Sequence, residues 1–166
     1  MRLGALSLAL ALACLVAGCA TPMAETAPSL AGAWRLVETR QRLADGSVRS
    51  DPDLGAHPDG YMIYDDAGVM CTMFSDTDRP RWGAGGPSEA DLRRVVENTI
   101  AYCARYEVDA ARGVIVFHLE EGNSPNSVGV TRERRFELVG DSLILHPNPL
   151  PAGVTDWTIH LRRVRR

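Results

Sequence analysis

The histidines are the side chains most able to do chemistry, and they are widely spaced. None stands in a spacing with another histidine, a cysteine or a glutamate that is typical of a metal site. The four are His57, His118, His146 and His160. No G-x-S-x-G or comparable nucleophile motif accompanies them. We therefore predict no metal, no cofactor and no catalytic residue. The alternative is an acid–base pair made by His118 with Tyr106 or Arg105.

The N-terminus has the order of features found in an export signal. Met1 and Arg2 precede an apolar run from Leu3 to Leu15. As a helix this run would extend ~20 Å, which is short of the ~30 Å hydrocarbon core of a bilayer. It ends in the residues VAGC, and small residues directly before Cys19 resemble the lipobox of bacterial lipoproteins. The alternative is an ordinary secretory signal with an incidental cysteine.

The lipobox resemblance implies a boundary at Cys19. In such proteins the cysteine receives a thioether-linked diacylglycerol and becomes the first residue after cleavage, and its acyl chains hold the protein on a membrane. Ala20 follows, where an aspartate would favour inner-membrane retention, so we expect an outer-membrane lipoprotein facing the periplasm. The predicted division is a signal peptide at 1–18, a flexible tether at 19–29 and a folded domain at 30–166.

Beyond the tether, the chain alternates short β-rich runs with turn signals. Two of the turns, Asp65 to Gly68 and Ala110 to Gly113, end in glycine, as hairpin turns often do. No further run approaches the length of a transmembrane helix. Eight strands follow from the pattern, which is typical of an all-β barrel or sandwich. The predicted strands are 32–43, 60–64, 69–75, 102–109, 114–120, 130–139, 142–146 and 155–164.

One helix is predicted at residues 88–100. Ser88 can cap its N-terminus, and acidic residues occupy the first turn, where negative charge suits the helix dipole. Apolar residues recur at helical spacing and form a single stripe. The stripe consists of Leu92, Val95, Val96, Thr99 and Ile100. A lone amphipathic helix among strands must cover something apolar, and we expect it over the mouth of a barrel.

Several short motifs, taken in order, resemble those of a known family. Gly32-Ala33-Trp34 matches the G-x-W of the first lipocalin strand. The accompanying segments are GYMIY at 60–64, DRPR at 78–81, RYEVD at 105–109, SPN at 124–126 and RRFEL at 134–138. Together they are similar to the bacterial lipocalin-like domain family over residues 30–164. The resemblance implies a closed antiparallel up-and-down barrel of about eight strands, and small hydrophobic ligands. Phe117 departs from it, because relatives often carry a histidine there.

Strand parity assigns side chains to the inside of such a barrel, because they alternate between faces along a strand. The inward set is mostly apolar, with tyrosine hydroxyls and one or two arginines. The members predicted to touch a ligand are Tyr61, Tyr102, Tyr106, Phe117, Phe136 and Arg134. In the first hairpin we expect Tyr64 opposite Val69. That register also turns Ile63, Met70, Thr72 and Phe74 inward.

Arg134 is the predicted anchor for a ligand. An arginine facing an apolar cavity is costly unless it is paired, and a guanidinium can bind both oxygens of a carboxylate or phosphate. We therefore expect it to hold the acidic head of an acyl or similar amphiphile, with a tyrosine of the inward set assisting. The alternatives are an internal pair with Glu38 or Glu120, or a position at the rim in water.

Two further expectations concern structure. In lipocalins the first-strand tryptophan plugs the closed end and an arginine of the last strand covers its ring, which implies the same for Trp34 with Arg162 or Arg163. Cys71 and Cys103 fall on the outer faces of strands that would be neighbours. They either form a disulfide or remain two partly buried thiols.

Composition limits the classes of function. The chain has 166 residues, which is one domain's worth, and a net charge of −3, which disfavours a nucleic-acid binder. We predict a lipid-anchored periplasmic barrel that holds a small hydrophobic or amphiphilic molecule. One alternative is an isomerase-like or cyclase-like enzyme with a hydrophobic substrate in the same cavity. The other is a filled barrel that serves as an interaction module at the envelope.

Overall fold

The strands close into a single antiparallel barrel in the computed structural model, which describes residues 29–79 and 81–165. The nine strands are β1 Gly32–Leu43, β2 Val48–Arg49, β3 Pro58–Tyr64, β4 Val69–Asp76, β5 Thr99–Asp109, β6 Val114–Gly122, β7 Thr131–Val139, β8 Ser142–His146 and β9 Val154–Arg163. Strands β3 to β9 pair in sequence order, and β1 pairs with both β3 and β9, which closes the sheet. Strand β2 is two residues long and pairs with β1 alone. The predicted closed antiparallel barrel of about eight strands is confirmed.

The two ends of the barrel differ in their connections. At the closed end, short hairpins join the strands at 65–68, 110–113 and 140–141. At the open end the connections are longer, at 44–57, 77–98, 123–130 and 147–153. The first of these contains β2 and a 3-10 turn, Pro52–Leu54, and the second contains the helix α1, Glu89–Glu97. Loops therefore surround one mouth of the barrel, the position at which barrels commonly hold ligands.

The hairpin between β3 and β4 contains one residue more than predicted. The Asp65 amide donates to the Val69 carbonyl at 2.9 Å, and Tyr64 pairs with Met70 rather than with Val69. Gly68 supplies the positive φ of 81° that a turn of this kind requires. A change of one residue in register turns every side chain of a strand to the opposite face.

The predicted inward face of β3 is therefore wrong. Met62 and Tyr64 are buried inside the barrel, whereas Tyr61 and Ile63 lie on its outer face with 45% and 51% of their surface exposed. Tyr61 does not belong to the lumen. On β4 the predicted inward residues do face the interior. They are Met70, Thr72 and Phe74.

The helix is shorter than predicted. Ser88 caps it through a reciprocal pair of hydrogen bonds with Asp91, but the helix ends at Glu97. Thr99 and Ile100, predicted as its last residues, instead begin β5. They do so because the pairing of β4 with β5 extends to this end of the sheet and supplies backbone partners that a helix would have to forgo.

The helix also does not cover the mouth of the barrel. Leu92 and Val96 of the predicted apolar stripe are 48% and 64% exposed, and no residue of α1 is buried. Val96 and Glu97 stand at the edge of the mouth. The helix therefore lies beside the opening and leaves Leu92 and Val96 exposed.

Large side chains fill the closed end. The most buried are Leu30, Trp34, Met62, Tyr64, Met70, Phe117 and Leu161. The Trp34 Nε1 donates to the Leu30 carbonyl at 2.8 Å, and the guanidinium carbon of Arg163 lies 4.1 Å from the centre of its ring. Of the two predicted arginines it is Arg163 that covers the tryptophan. Arg162, one residue earlier on β9, points outwards and is exposed.

A disulfide joins β4 to β5. Cys71 and Cys103 are direct cross-strand partners, and their sulfur atoms are bonded. The two cysteines are 32 residues apart, and the loop between them contains the long connection 77–98. Closing a loop of that length stabilises the fold by about 3–4 kcal/mol in the chain-entropy account.

The predicted signal peptide at 1–18, the lipid-bearing Cys19 and most of the tether lie outside the described residues. In the part of the chain that the structure does describe, no helix is long and apolar enough to cross a bilayer. The boundaries of the signal, tether and folded domain stay predictions.

Candidate functional site

A cavity of about 660 Å³ opens at the mouth of the barrel. Strands β4, β5, β7 and β9 supply its walls, and the open-end connections supply its rim. Apolar side chains from three of these strands line part of the wall: Phe74, Ile100 and Ile159. Small-molecule sites usually have volumes of about 300–1,000 Å³. The open end therefore has room for a small molecule.

The cavity contains charge because the inward-facing residues of β7 change character along the strand. Phe136 and Leu138, towards the closed end, pack against the core. Arg132 and Arg134, towards the open end, line the cavity. Because side chains on one face recur at every second residue, the two arginines project into the same space. This parity follows from the sequence alone.

Arg134 is the buried cation of the cavity. It is 8% exposed, and its guanidinium carbon lies 5.7 Å from the centre of the Phe117 ring, within reach of a cation–π contact. Within residues 29–79 and 81–165, no carboxylate oxygen lies within 4.0 Å of the guanidinium, and no hydrogen bond engages it. Its N–H donors are therefore available to a molecule in the cavity.

The two predicted internal partners of Arg134 make contacts elsewhere. Glu38 lies 3.8 Å from the Nδ1 atom of His160, and Glu120 lies 3.5 Å from the Nε atom of Arg105. Both carboxylates are on the outer surface of the barrel. The burial of Arg134 also rules out the rim position in water.

Arg132 is the second cation and lies nearer the mouth. One of its guanidinium nitrogens donates to the Ser127 hydroxyl at 3.2 Å, a neutral partner that leaves its charge unbalanced. Ser127 belongs to the short 3-10 turn Pro125–Ser127 in the connection 123–130, so this contact also fastens that loop to the cavity wall.

A buried acid, Asp51, faces the same cavity from the first open-end connection. It is 2% exposed; its Oδ1 atom accepts from the Asp53 amide at 3.1 Å, and its own amide donates to the Thr39 hydroxyl at 3.0 Å. Burial raises the pKa of the Asp51 carboxyl, and the hydrogen bond from Asp53 and the charges of Arg49 and Arg134 oppose this in part. Opposite charges thus share the cavity without forming an ion pair.

Two further polar atoms of the lining lack partners. The Thr99 hydroxyl and the Trp157 Nε1 are buried, and within the described part of the chain neither makes a hydrogen bond. Buried polar groups are normally hydrogen-bonded, so the hydroxyl and the indole N–H can each donate to a molecule in the cavity. Together with the arginines they give the cavity several donors.

The predicted ligand-binding residues separate into two groups. Arg134 and Tyr102 line the cavity, and Tyr102 is 7% exposed. Phe117 and Phe136 face inwards but belong to the packed core beneath it. The two rings lie beneath the cavity, and the Phe117 ring contacts the Arg134 guanidinium.

The remaining predicted tyrosine and the acid–base alternative lie elsewhere. The Tyr106 hydroxyl donates to the Asp65 carbonyl at 2.8 Å, at the closed end, and burial raises the pKa of Tyr106. His118 and Arg105 are on the outer face, where the His118 Nδ1 contacts the Thr131 hydroxyl at 3.0 Å. These groups do not converge on one point in the cavity.

Sequence reasoning missed Asp51 and Thr99. The pair Asp51-Pro52 is a helix-start signal, with a capping aspartate before a proline in the first turn. That signal could have revealed the 3-10 turn, but nothing local reveals that the turn inserts into the barrel. The helical spacing of 88–100 includes Thr99 in the helix and does not indicate its place on β5.

A polar cluster outside the cavity has a structural role. His57, Asp76 and Asp78 place potential metal-ligating atoms within 4.8 Å of one another. However, Arg94 lies 3.5 Å from the Asp76 carboxylate, and the His57 Nδ1 contacts Asp78 at 2.6 Å. Protein donors already engage both carboxylates, and the contacts tie two open-end connections together.

Comparisons with known proteins give a family match and two structural neighbours of low sequence identity. The profile of the lipocalin-like domain family matches residues 31–164. An uncharacterized protein from Bacteroides eggerthii DSM 20697 is 13% identical, with 82% of this chain and 100% of that chain covered and a TM-score of 0.43. A lipocalin-like protein from Bacteroides uniformis ATCC 8492 is 15% identical, with 81% and 98% covered and a TM-score of 0.41. No curated protein sequence matches this chain.

Proposed function

The chain belongs to the lipocalin-like domain family, and from this premise we propose that it binds a small amphiphilic molecule with an acidic head in the open-end cavity. The observation that carries the proposal is Arg134, a buried arginine that has no carboxylate beside it in the described residues. Such a group is destabilising for the empty barrel, since a buried charge needs a partner.

The chemistry of the head follows from the guanidinium. A carboxylate or phosphate would supply the missing partner, because a planar guanidinium can donate to two of its oxygens at once. Arg132 on the same face adds a second positive charge nearer the mouth. Tyr102 on β5, two strands away from β7 in the sheet, can add a hydroxyl. An uncharged hydrophobic ligand would leave all of these groups unsatisfied.

The orientation of the ligand follows from the depth of Arg134. It is three residues from Thr131, where β7 begins at the open end, and therefore about 10 Å along the strand. The head would lie inside the barrel, and the tail would pass along the apolar wall towards the mouth. The cavity of about 660 Å³ supports this carrier role over the alternative of a filled interaction module.

We further propose that Cys19 carries lipid and that the protein is an outer-membrane lipoprotein facing the periplasm. The support is the order of charge, apolar run, small residues and cysteine at the N-terminus, together with a Cys71–Cys103 disulfide, which suits an oxidising compartment. Metabolic labelling with an alkyne fatty acid tests the anchor. Wild type and Cys14→Ala should take the label and Cys19→Ala should not; label on Cys19→Ala would contradict the proposal.

Titration with oleate tests the ligand proposal. Arg134→Gln should bind oleate about tenfold or more weakly than wild type, because it loses a hydrogen bond between charged groups. Arg134→Glu should bind still more weakly. Arg135→Gln is the matched control, since this exposed neighbour points away from the cavity and its loss should change nothing. Equal oleate affinity in wild type and both Arg134 variants would end the proposal.

A further inference from the structure

The contacts of Asp51 within the protein do not explain why this position has an acidic side chain. It caps the 3-10 turn through one carboxylate oxygen, but an uncharged asparagine or serine would cap it as well. Its second carboxylate oxygen has no hydrogen-bond donor among the residues that the structure describes. An acidic side chain is therefore kept in a buried position where a neutral side chain could cap the turn as well.

Asp51 and Arg134 line the same cavity but are held by different parts of the barrel. Its backbone amide is fastened to Thr39 on β1, while Arg134 lies on β7, and both residues line the cavity. The two charges influence each other, yet they are more than 4.0 Å apart and form no ion pair. Among the described residues neither side chain has an oppositely charged atom within 4.0 Å, although the charge of Arg49 also acts on Asp51, and both side chains line the cavity.

We propose that the cavity selects a zwitterionic amphiphile, with an anionic group on Arg134 and an ammonium group on Asp51. This inference rests on the proposed function and narrows its ligand class. A single head that carries both charges satisfies both side chains at once. A fatty acid would satisfy Arg134 and leave the buried carboxylate of Asp51 without a partner. The raised pKa of Asp51 agrees with a carboxylate whose charge is uncompensated until a cation arrives.

The same pair of charges occurs in glycerophospholipids and in amino-acid lipids, so the test uses one matched pair from each. Lysophosphatidylethanolamine is compared with lysophosphatidylethanol of the same chain, which keeps the phosphodiester charge and lacks the amine, and 2-aminohexadecanoate with hexadecanoate. Full-chain wild type should bind the amine-bearing member of at least one pair about tenfold or more tightly, the size expected of one hydrogen bond between charged groups. The pair that shows the preference identifies the source.

Asp51→Asn is the decisive variant, because it keeps the cap and removes the charge. It should abolish the preference for the amine while leaving the affinity for the amine-free partner unchanged or higher. Asp45→Asn, an exposed acid in the same connection that does not line the cavity, should keep the preference. Thermal unfolding of each variant checks that it is folded; should Asp51→Asn fail to fold, Asp51→Ser replaces it with the same expectation.

The outcomes separate this inference from the proposed function. If wild type binds all four amphiphiles without preferring the amine, or if Asp51→Asn or its serine replacement keeps the preference, the zwitterion inference is overturned and the carrier proposal stands. If wild type binds none of the four, both are overturned.

Discussion

The closed and open ends of the barrel are built from the same strands but have opposite interiors. On β1, Trp34 and Leu36 face inwards at the closed end, and Thr39 and Gln41 face inwards at the open end; all four are buried. Apolar side chains fill one end, and polar and charged ones surround a cavity at the other. The strand pairing is common to both ends, so the difference lies in the inward side chains and in the connections that surround each end.

The two ends of the barrel contribute differently to the stability of the fold and to ligand binding. Buried apolar area stabilises the fold at the closed end, whereas the buried arginine and aspartate at the open end lower its stability until a ligand pairs with them. A separation of this kind predicts that substitutions at the closed end change the free energy of unfolding. Substitutions of the charged residues at the open end should weaken ligand binding and leave the empty barrel as stable as before or more stable.

The largest effect should come from the plug at the closed end. Trp34→Ala removes a fully buried ring, its hydrogen bond to Leu30 and its contact with Arg163, so it should cost about 3–5 kcal/mol in the free energy of unfolding. Trp157→Ala at the open end is the comparison, and it should lower the free energy of unfolding by less than half as much. Urea unfolding measures both; equal losses would break the division between the two ends.

A smaller effect should distinguish two neighbouring arginines. Arg163 covers the Trp34 ring and donates to the carbonyls of Ala31 and Ser29, so Arg163→Ala should cost about 0.5–2 kcal/mol of stability. Arg162→Ala, on the exposed face, should stay within about 0.5 kcal/mol of wild type. Urea unfolding of both variants measures the difference. A larger loss of stability in Arg162→Ala than in Arg163→Ala would contradict the assignment of Arg163 as the arginine that covers Trp34.

The smallest effect concerns pH and the open end. Because burial raises the pKa of Asp51 above its unfolded value, its contribution to stability is fully present below the unfolded pKa and is lost as pH rises through the folded pKa. Asp51→Asn should therefore be more stable than wild type at pH 7. The difference between the two should vanish below about pH 4.

The quantity to measure is the difference in stability between Asp51→Asn and wild type at each pH. The stability of wild type alone is not enough, because other acids change it with pH in the opposite sense. The hydrogen bond from Arg35 lowers the pKa of Asp59, so its stabilising contribution is present above the unfolded pKa and is lost as pH falls. Thermal unfolding across the pH range, with Asp53→Asn as the control, gives this comparison. A wild type more stable than Asp51→Asn at pH 7 would contradict the account.

Sequence patterns predicted the elements at the closed end and part of the open end. Alternation along β7 correctly turned Arg134 and Phe136 inwards, since side chains alternate along a strand that no β-bulge interrupts. It failed on β3, where one additional residue in the hairpin carried Tyr61 to the outside. Local patterns determine faces within a strand, but a turn determines the register between strands.

The remainder of the cavity could not be predicted, because it depends on contacts between distant segments. Asp51 reaches the lumen through a hydrogen bond to Thr39, twelve residues away, and faces an arginine more than eighty residues later in the chain. Thr99 lines the cavity because sheet pairing overrides the helical spacing of its neighbours. No local signal encodes either placement.

The central claim is that the open end of the barrel holds an amphiphile through Arg134. Native mass spectrometry of the protein, as purified from cells and again after incubation with oleate, tests it most directly. The account predicts one amphiphile bound to each wild-type chain, co-purified or added, and its loss in Arg134→Gln. A wild-type chain that stays free of ligand in both samples, or an Arg134→Gln chain that retains the same ligand equally well, would contradict it.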